Sequence, residues 1–521
     1  MTLSTVPLAA PSSQPITKEA MRTFTARLRS ETDADGRVTP KLQATLDQLE
    51  RLPASESARA VFQAFVAAVG GKMQGPIKLP EDKTPFWLRG ANHPLAGFQS
   101  NAKLPEAADV VIVGAGLTGT SAAYHLAGKG KVVVLEKNDP ASGASGRNGG
   151  NFELIPENFA GDYGEYAGLE GERRKFLQAT RPELAGEALD REVRRQAEAV
   201  MKIGLKNSQR MLAIVDREQI DCDLSSSGWL RVAYSPAEEK ALEKEVALGK
   251  SLGLPMSVIS AAEIKKRFGI DAKFAGRLAE QNGNYHPFKF VTGEMQAALR
   301  KGAELYTRTG VTALRTLPDG RHEVTTPRGK IIAKTVIMAT NAFTAKVLPE
   351  LSDVQYYQSQ ILNLEHVKND LNGITFTDKD GDIYGSFPKS GQYTAKDGTK
   401  RGTLLLGGGR DRPGVDPTKL RRSQSVLDLV LKEAAERFPA TAKQPPSRVW
   451  TGPMAFTPDR LPAVGFLRDG LIIAAGFNGY GGSYCTEVGA LVAEMAVTKK
   501  TPDALPEDIF GPKRLARNSR Q

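Results

Sequence analysis

The chain has 521 residues, more than one hydrophobic core usually serves, so two or more domains are expected. It is 40% hydrophobic and 25% charged, and no apolar run approaches the roughly 18 residues of a membrane helix, which reads as a soluble globular protein rather than a membrane or disordered one. Lys+Arg 70 against Asp+Glu 59 gives a net charge of +11, spread along the chain, so no nucleic-acid-binding arm stands out and anionic substrates would be drawn in modestly.

The first fifteen residues lack a basic stretch followed by an apolar one, so no signal peptide is read. Cys222 and Cys485 form no metal or redox spacing, and the five histidines include no pair at ligand spacing. No metal site is expected, and a cytoplasmic location is.

In chain order, residues 17–30, 40–51 and 60–69 carry helical apolar spacing, and 1–80 reads as a helical N-terminal extension. Five prolines over 72–107 (Pro76, Pro80, Pro85, Pro94 and Pro105) mark an extended linker ending at 107. A strand, a glycine turn, a helix and a second strand follow, from Asp109 to Glu136. Residues 170–218 read as long charged helices, Gly228 to Ala233 as a strand, and 237–253 as helix. Two or three strands are expected over 303–339, more over 354–410, and a charged helix over 419–437. The strand Leu471–Ala475, a glycine turn at 476–482 and an apolar helix over 483–497 come next. Lys513, Arg514, Arg517 and Arg520 make 498–521 a basic tail, expected to be solvated.

The segment with most chemical content is Asp109-Val-Val-Ile-Val-Gly114-Ala-Gly116-Leu-Thr-Gly119, its helix, and Lys131-Val-Val-Val-Leu-Glu136. Glycines at this spacing between a strand and a helix permit a tight turn (Gly114), close approach of a pyrophosphate (Gly116) and close helix packing (Gly119). The N-terminus of that helix offers free N–H groups to phosphate oxygens. Glu136, at the tip of the second strand, can accept bonds from ribose hydroxyls and would repel a 2′-phosphate, which favours FAD or NAD over NADP. The run Gly476-Phe-Asn-Gly479-Tyr-Gly481-Gly482 is a second strand–turn–helix, whose positive end suits an anionic oxygen such as the edge of a reduced flavin.

With Ala144-Ser-Gly-Arg-Asn-Gly-Gly150, Thr335-Val-Ile-Met-Ala-Thr-Asn341-Ala and Thr457-Pro-Asp459-Arg-Leu-Pro-Ala-Val-Gly465, these segments resemble the FAD-dependent amine and amino-acid oxidoreductases. That is the family of D-amino-acid oxidase, glycine oxidase and sarcosine oxidase, with the closest look to its γ-glutamylputrescine oxidase-like branch. The resemblance spans about residues 84–497 and leaves the N-terminus out. It implies an α/β fold: a Rossmann-type FAD-binding domain (108–170, 285–350 and 445–497) and a discontinuous antiparallel-sheet substrate domain (171–284 and 351–444), after the N-terminal helical extension and a linker at 81–107.

The resemblance also implies site roles. Gly114, Gly116 and Gly119 would hold the pyrophosphate and Glu136 the adenosine ribose, with Leu117, Thr118 and Lys137 as further cofactor-binding residues. Ser145, Gly146, Arg147, Asn148 and Gly149 lie on the loop that passes the flavin ring. Val311 would offer backbone to adenine, with Thr340 and Asn341 at the end of a neighbouring strand. Gly476, Asn478, Gly479, Tyr480, Gly481 and Gly482 would cover the pyrimidine edge, and Tyr384 and Arg147 would face the substrate as catalytic residues. Members that attach FAD covalently carry a cysteine shortly before the Thr-x-Asp motif; Gly452-Pro-Met-Ala-Phe-Thr457 has none, so FAD is expected to be non-covalent. Lys389 is a weak candidate for the oxygen-activating lysine of some members.

The implied reaction is oxidation of a C–N bond in an amine or amino acid, with imine hydrolysis and with oxygen or another carrier as acceptor. Three other readings stay open: an NAD-dependent dehydrogenase, a flavoenzyme acting on a hydroxy acid or polyol, and a non-catalytic flavin-binding subunit.

Overall fold

Val110 to Val113 and Val132 to Leu135 are near-continuous apolar runs, as strands buried on both faces must be. In the computed structural model they lie side by side and parallel at the centre of an eight-stranded sheet. The structure describes residues 77–516 apart from 89–92, 94, 96–97, 99, 101–102, 153–161, 164–165, 168, 227, 252, 379–380 and 414–417. The helices expected at 17–30, 40–51 and 60–69 lie outside the described residues.

Glu304–Tyr306 joins Val132–Leu135 in parallel on one side, and Gly329–Met338 joins Ala107–Val113 in parallel on the other. On its other edge Gly329–Met338 serves two further neighbours. Its C-terminal half runs parallel to Leu471–Ala475, in the register Val336 to Leu471, while its N-terminal half pairs antiparallel with His322–Thr326. Four strands thus stand where two or three were expected over 303–339. The short Glu304–Tyr306 gives little periodic signal of its own.

The first helix, Leu117–Leu126, packs against Pro287–Arg300 and against Cys485–Thr498. Gly489 permits the second contact, since a Cβ there would stand 2.5 Å from Cβ of Ser121. Both glycine turns therefore end at neighbouring helices over one sheet, although hundreds of residues separate them.

The second large sheet has nine strands. Val449–Phe456, Gln355–Lys368, Lys400–Pro413, Gly381–Ser386, Gly373–Asp378, Trp229–Val232, Gly276–Ala279 and Met256–Ile259 follow in that order, with Tyr393–Thr394 beside Lys400–Pro413. It is antiparallel except for one parallel pair, Gly373–Asp378 with Trp229–Val232. Bulges in the Gln355–Lys368 pairing, at 358–360 and 364–367, bend the two longest strands. Their far end is covered by Gln424–Arg437, whose N-cap Ser423 accepts the N–H of Val426.

Two expectations need correcting. The stretch read as a linker is part of the body, because Trp87, Leu95 and Leu104 are buried. The tail read as solvated is packed as far as residue 516. Leu505, Ile509, Phe510 and Leu515 are buried, and Arg514 Nε meets Asp459 Oδ2 at 2.7 Å. The sequence showed the cations of this tail and hid its apolar residues among polar ones. Among the described residues no helix is long and apolar enough to cross a membrane, and no group of His, Cys, Asp and Glu could hold a metal ion.

Candidate active site

A cavity of about 700 Å³ opens at the C-terminal ends of the parallel strands and runs under the second sheet. That is where open α/β sheets place their ligands, and the volume is in the range of cofactor sites.

At one end Gly114, φ +104°, turns the chain where no L side chain would sit easily; a Cβ there would lie 2.7 Å from Ala339 O. A Cβ on Gly116 would come within 2.9 Å of Ser145 Oγ, and that hydroxyl accepts the N–H of Leu117 at 3.0 Å. Ser145 therefore caps the first helix. Leu117 and Thr118 line the cavity beside Gly114 and Gly116.

Glu136 is buried at the cavity wall. Its Oε2 accepts Ala115 N–H at 2.9 Å and its Oε1 accepts Asn138 N–H at 2.8 Å. Burial pushes its carboxyl above the usual range, against the pull of those two N–H groups and of Lys137. Lys137 itself lies over the ring of Phe343, 3.6 Å from its centroid, and Val311 lines the cavity near them.

Further along, Ser145, Arg147, Asn148 and Gly149 form one wall, Thr340 and Asn341 part of another, and Gly479, Tyr480, Gly481 and Gly482 the end next to the C-terminal helix. Arg147 Nε donates to Ser142 O at 2.9 Å and Nη1 to Thr451 O at 3.2 Å. No carboxylate among the described residues pairs with it, and burial lowers its pKa. The ring of Tyr384 sits between Gly149 and Gly407, where Cβ atoms would come within 2.9 and 2.4 Å of it. Tyr384 thus joins the Ser145–Gly149 side of the cavity to the second sheet.

The described lining holds one carboxylate, Glu136, and no histidine. These features fit a dinucleotide: a helix N-terminus opening on the cavity, a carboxylate fixed at the wall, and space that glycines keep open.

Residues 109–495 match the DAO family, described as FAD dependent oxidoreductase. The chain belongs to this family. γ-Glutamylputrescine oxidoreductase of Escherichia coli strain K12 is 27% identical over 401 residues, covering 74% of this chain and 83% of the relative. Monomeric sarcosine oxidase of Streptomyces avermitilis is 24% identical over 430 residues, 78% of this chain and 98% of that one. Among solved structures, glycine oxidase from Geobacillus kaustophilus superposes with a TM-score of 0.61 at 20% identity, covering 79% of this chain and 99% of its own. This protein is an FAD-dependent oxidoreductase of the amine and amino-acid oxidase kind.

Within this oxidoreductase four of the expected residues stand behind the cavity rather than on it. A Cβ on Gly119 would lie 1.9 Å from Gly114 O, so this glycine serves the packing of helix on strand. Gly146 backs onto Ala141 O and Gly476 onto Thr457. Asn478 ties segments together: its Oδ1 accepts Thr457 N–H at 2.9 Å and its Nδ2 donates to Gly476 O at 2.7 Å. Lys389 is also absent from the lining.

Residues the sequence did not single out are present instead. Phe343, Met454 and Leu420 line the cavity, as does Ser359, whose buried Oγ has no hydrogen-bond partner. Asn207, on the helix Gly186–Glu218, accepts the N–H groups of Thr486 and Glu487 at 2.9 and 3.1 Å and donates to Gly482 O at 3.0 Å, so it caps the C-terminal helix at the cavity. Alternation along Gln355–Lys368 puts Ser359 and Ile361 on one face, but only the pairing of strands reveals which face.

Proposed function

We propose that this protein oxidises the C–N bond of a primary or secondary amine or an amino acid, using non-covalent FAD and delivering the electrons to oxygen as hydrogen peroxide. On this reading Gly114, Gly116, Leu117 and Thr118 receive the pyrophosphate, Glu136 and Lys137 the ribose, and Val311 the adenine. The loop Ser145 to Gly149, with Gly479 to Gly482 opposite, frames the ring system, and Arg147 and Tyr384 face the substrate.

The observation that carries the reading is the lining itself. Among the described residues the lining holds cations at Arg147, Lys137 and Lys346, one buried carboxylate at its ribose end, and no histidine or second carboxylate to act as general base. It suits a reaction whose hard step belongs to the cofactor. FAD supplies acceptance of a hydride from the amine carbon. The chain orients that carbon, and its positive potential disfavours the ammonium form, so the neutral amine is the one presented. The resulting imine takes up water and yields a carbonyl compound and the released amine or ammonia.

Non-covalent attachment is supported by two features. The strand Val449–Phe456 carries no cysteine. Cys485, at the cavity, has its thiol pushed up to about 12 by burial, so it remains protonated and is a poor nucleophile.

Anaerobic stopped-flow reduction across amines, amino acids, hydroxy acids and polyols tests the reading. Bleaching by amines alone is expected, with a rate that rises with pH as the substrate loses its proton, and with peroxide formed on admitting air. Bleaching only by hydroxy acids or polyols would overturn it, and so would bleaching by nothing. Acid precipitation should release all the yellow colour into the supernatant; colour retained by the precipitate would refute non-covalent binding.

A further inference from the structure

Trp87 lies before the family-matched residues, yet it reaches the cavity wall. Its side chain is 1% exposed, and its indole Nε1 donates to the carbonyl of Asn148 at 2.7 Å. The next carbonyl back along the chain, that of Arg147, accepts the indole Nε1 of Trp450 at 3.0 Å. The next one forward, that of Gly149, accepts the hydroxyl of Ser386. Three consecutive carbonyls are thus held by three side chains, from a segment outside the family match and from two strands of the second sheet.

The position of Trp87 is itself fixed. Its ring packs on His286, with centroids 5.0 Å apart, and edge-on to Phe86 at 5.2 Å. Gly150, φ +73°, leaves the room it needs, since a Cβ there would stand 2.6 Å from the ring.

A trans peptide points its C=O and the following N–H in opposite directions. Holding the carbonyls of Arg147 and Asn148 on the buried indoles therefore turns the N–H groups of Asn148 and Gly149 the other way. Among the described residues neither N–H meets an acceptor, and both residues line the cavity. Gly150 N–H, by contrast, is taken by Asn148 Oδ1 at 2.8 Å.

We propose that Trp87, together with Trp450, is a positioning residue for flavin reactivity: the two indoles lock the 147–149 loop so that two adjacent backbone N–H groups are presented to the flavin as preorganised donors. Such donors stabilise negative charge that develops on the ring system, at no cost of reorganisation. The proposal rests on FAD binding in this cavity and is independent of which substrate reduces it.

Sulfite, which adds reversibly to oxidised flavins and bleaches their visible band, is the probe. It reports the electrophilicity of the bound flavin without any substrate. In purified holoenzyme, Trp87→Phe keeps the packing and removes the donor. Wild-type FAD content and an approximately tenfold rise in the sulfite dissociation constant are expected, about the effect of one hydrogen bond. Trp450→Phe should shift it in the same direction. Unchanged sulfite affinity in both variants, with FAD retained, would overturn the proposal. So would loss of FAD from both with an intact fold, because the indoles would then hold the cofactor rather than tune it. Failure to bleach with amines leaves these outcomes unaffected, so the two readings fail separately.

Discussion

Glu136 commits one carboxylate oxygen to Ala115 N–H and the other to Asn138 N–H, yet it still faces the cavity. An oxygen of a carboxylate has lone pairs to spare after one bond, so the backbone holds the group in place without using up its capacity for ribose hydroxyls. Glu136→Ala should weaken FAD binding by about 1–3 kcal/mol, the range for hydrogen bonds to a charged acceptor. Titration of the apoprotein with FAD, followed by quenching of flavin fluorescence, measures this; unaltered affinity would show that Glu136 serves only the turn. At this scale the glycine motif and Glu136 were legible, because a local spacing dictates a local shape. Ser359 and Trp87 were not, since their positions depend on which strand or segment folds over them. Gly119, Gly146, Gly476 and Asn478 stand one layer back from where motif position alone would put them.

The first helix, Pro287–Arg300 and Cys485–Thr498 bury an acid at their junction. Glu294 is 0% exposed, neither of its carboxylate oxygens has a hydrogen-bond partner, and the nearby Ser121 hydroxyl is donated to Thr486 O at 2.8 Å. Burial pushes its carboxyl up from 4.5 to about 8. Between those two values the folded protein keeps a proton that the unfolded chain has lost. Stability must therefore fall as pH rises from about 4.5 to about 8 and level off above, the reverse of the usual carboxylate. Glu294→Gln removes the ionisation at nearly constant shape. The variant should match the wild type in acid and exceed it at pH 9, by at most about 5 kcal/mol. Thermal melts across that range read the difference, and parallel curves would refute the assignment. The first helix and the C-terminal one were legible from their apolar residues after a glycine turn, whereas Pro287–Arg300 was not singled out in the sequence. Their meeting was not, because neither Gly489 nor Glu294 announces a neighbour by its place in a periodic pattern.

Over the whole molecule, the Thr457-Pro-Asp459 segment shows how far a motif can be read without its partner. Asp459 is buried, and Arg514 contacts it through Nε at 2.7 Å and Nη2 at 3.3 Å, while Nη2 also reaches Leu461 O at 2.7 Å. Arg173 adds a bond to the Asp459 carbonyl. The Arg514 charge helps hold the Asp459 carboxyl below its ordinary value despite the burial that opposes this. Such a pair contributes stability above the unfolded carboxyl pKa and loses it as pH falls through the lower folded one. Arg514 lies beyond the family-matched residues, in a stretch whose composition alone reads as a solvated tail. The pair fastens that tail over the strands that carry the second glycine turn. Removing one partner strands the other charge in the interior, so Arg514→Ala should destabilise the protein by about 3–5 kcal/mol. Asp459→Asn in the same chain should recover part of that loss, because an amide tolerates burial without a cation. Denaturant unfolding of the two single variants and the double variant near pH 7 decides the matter. Additive losses would mean that the two side chains act independently and that the tail is held by Leu505, Ile509, Phe510 and Leu515 alone.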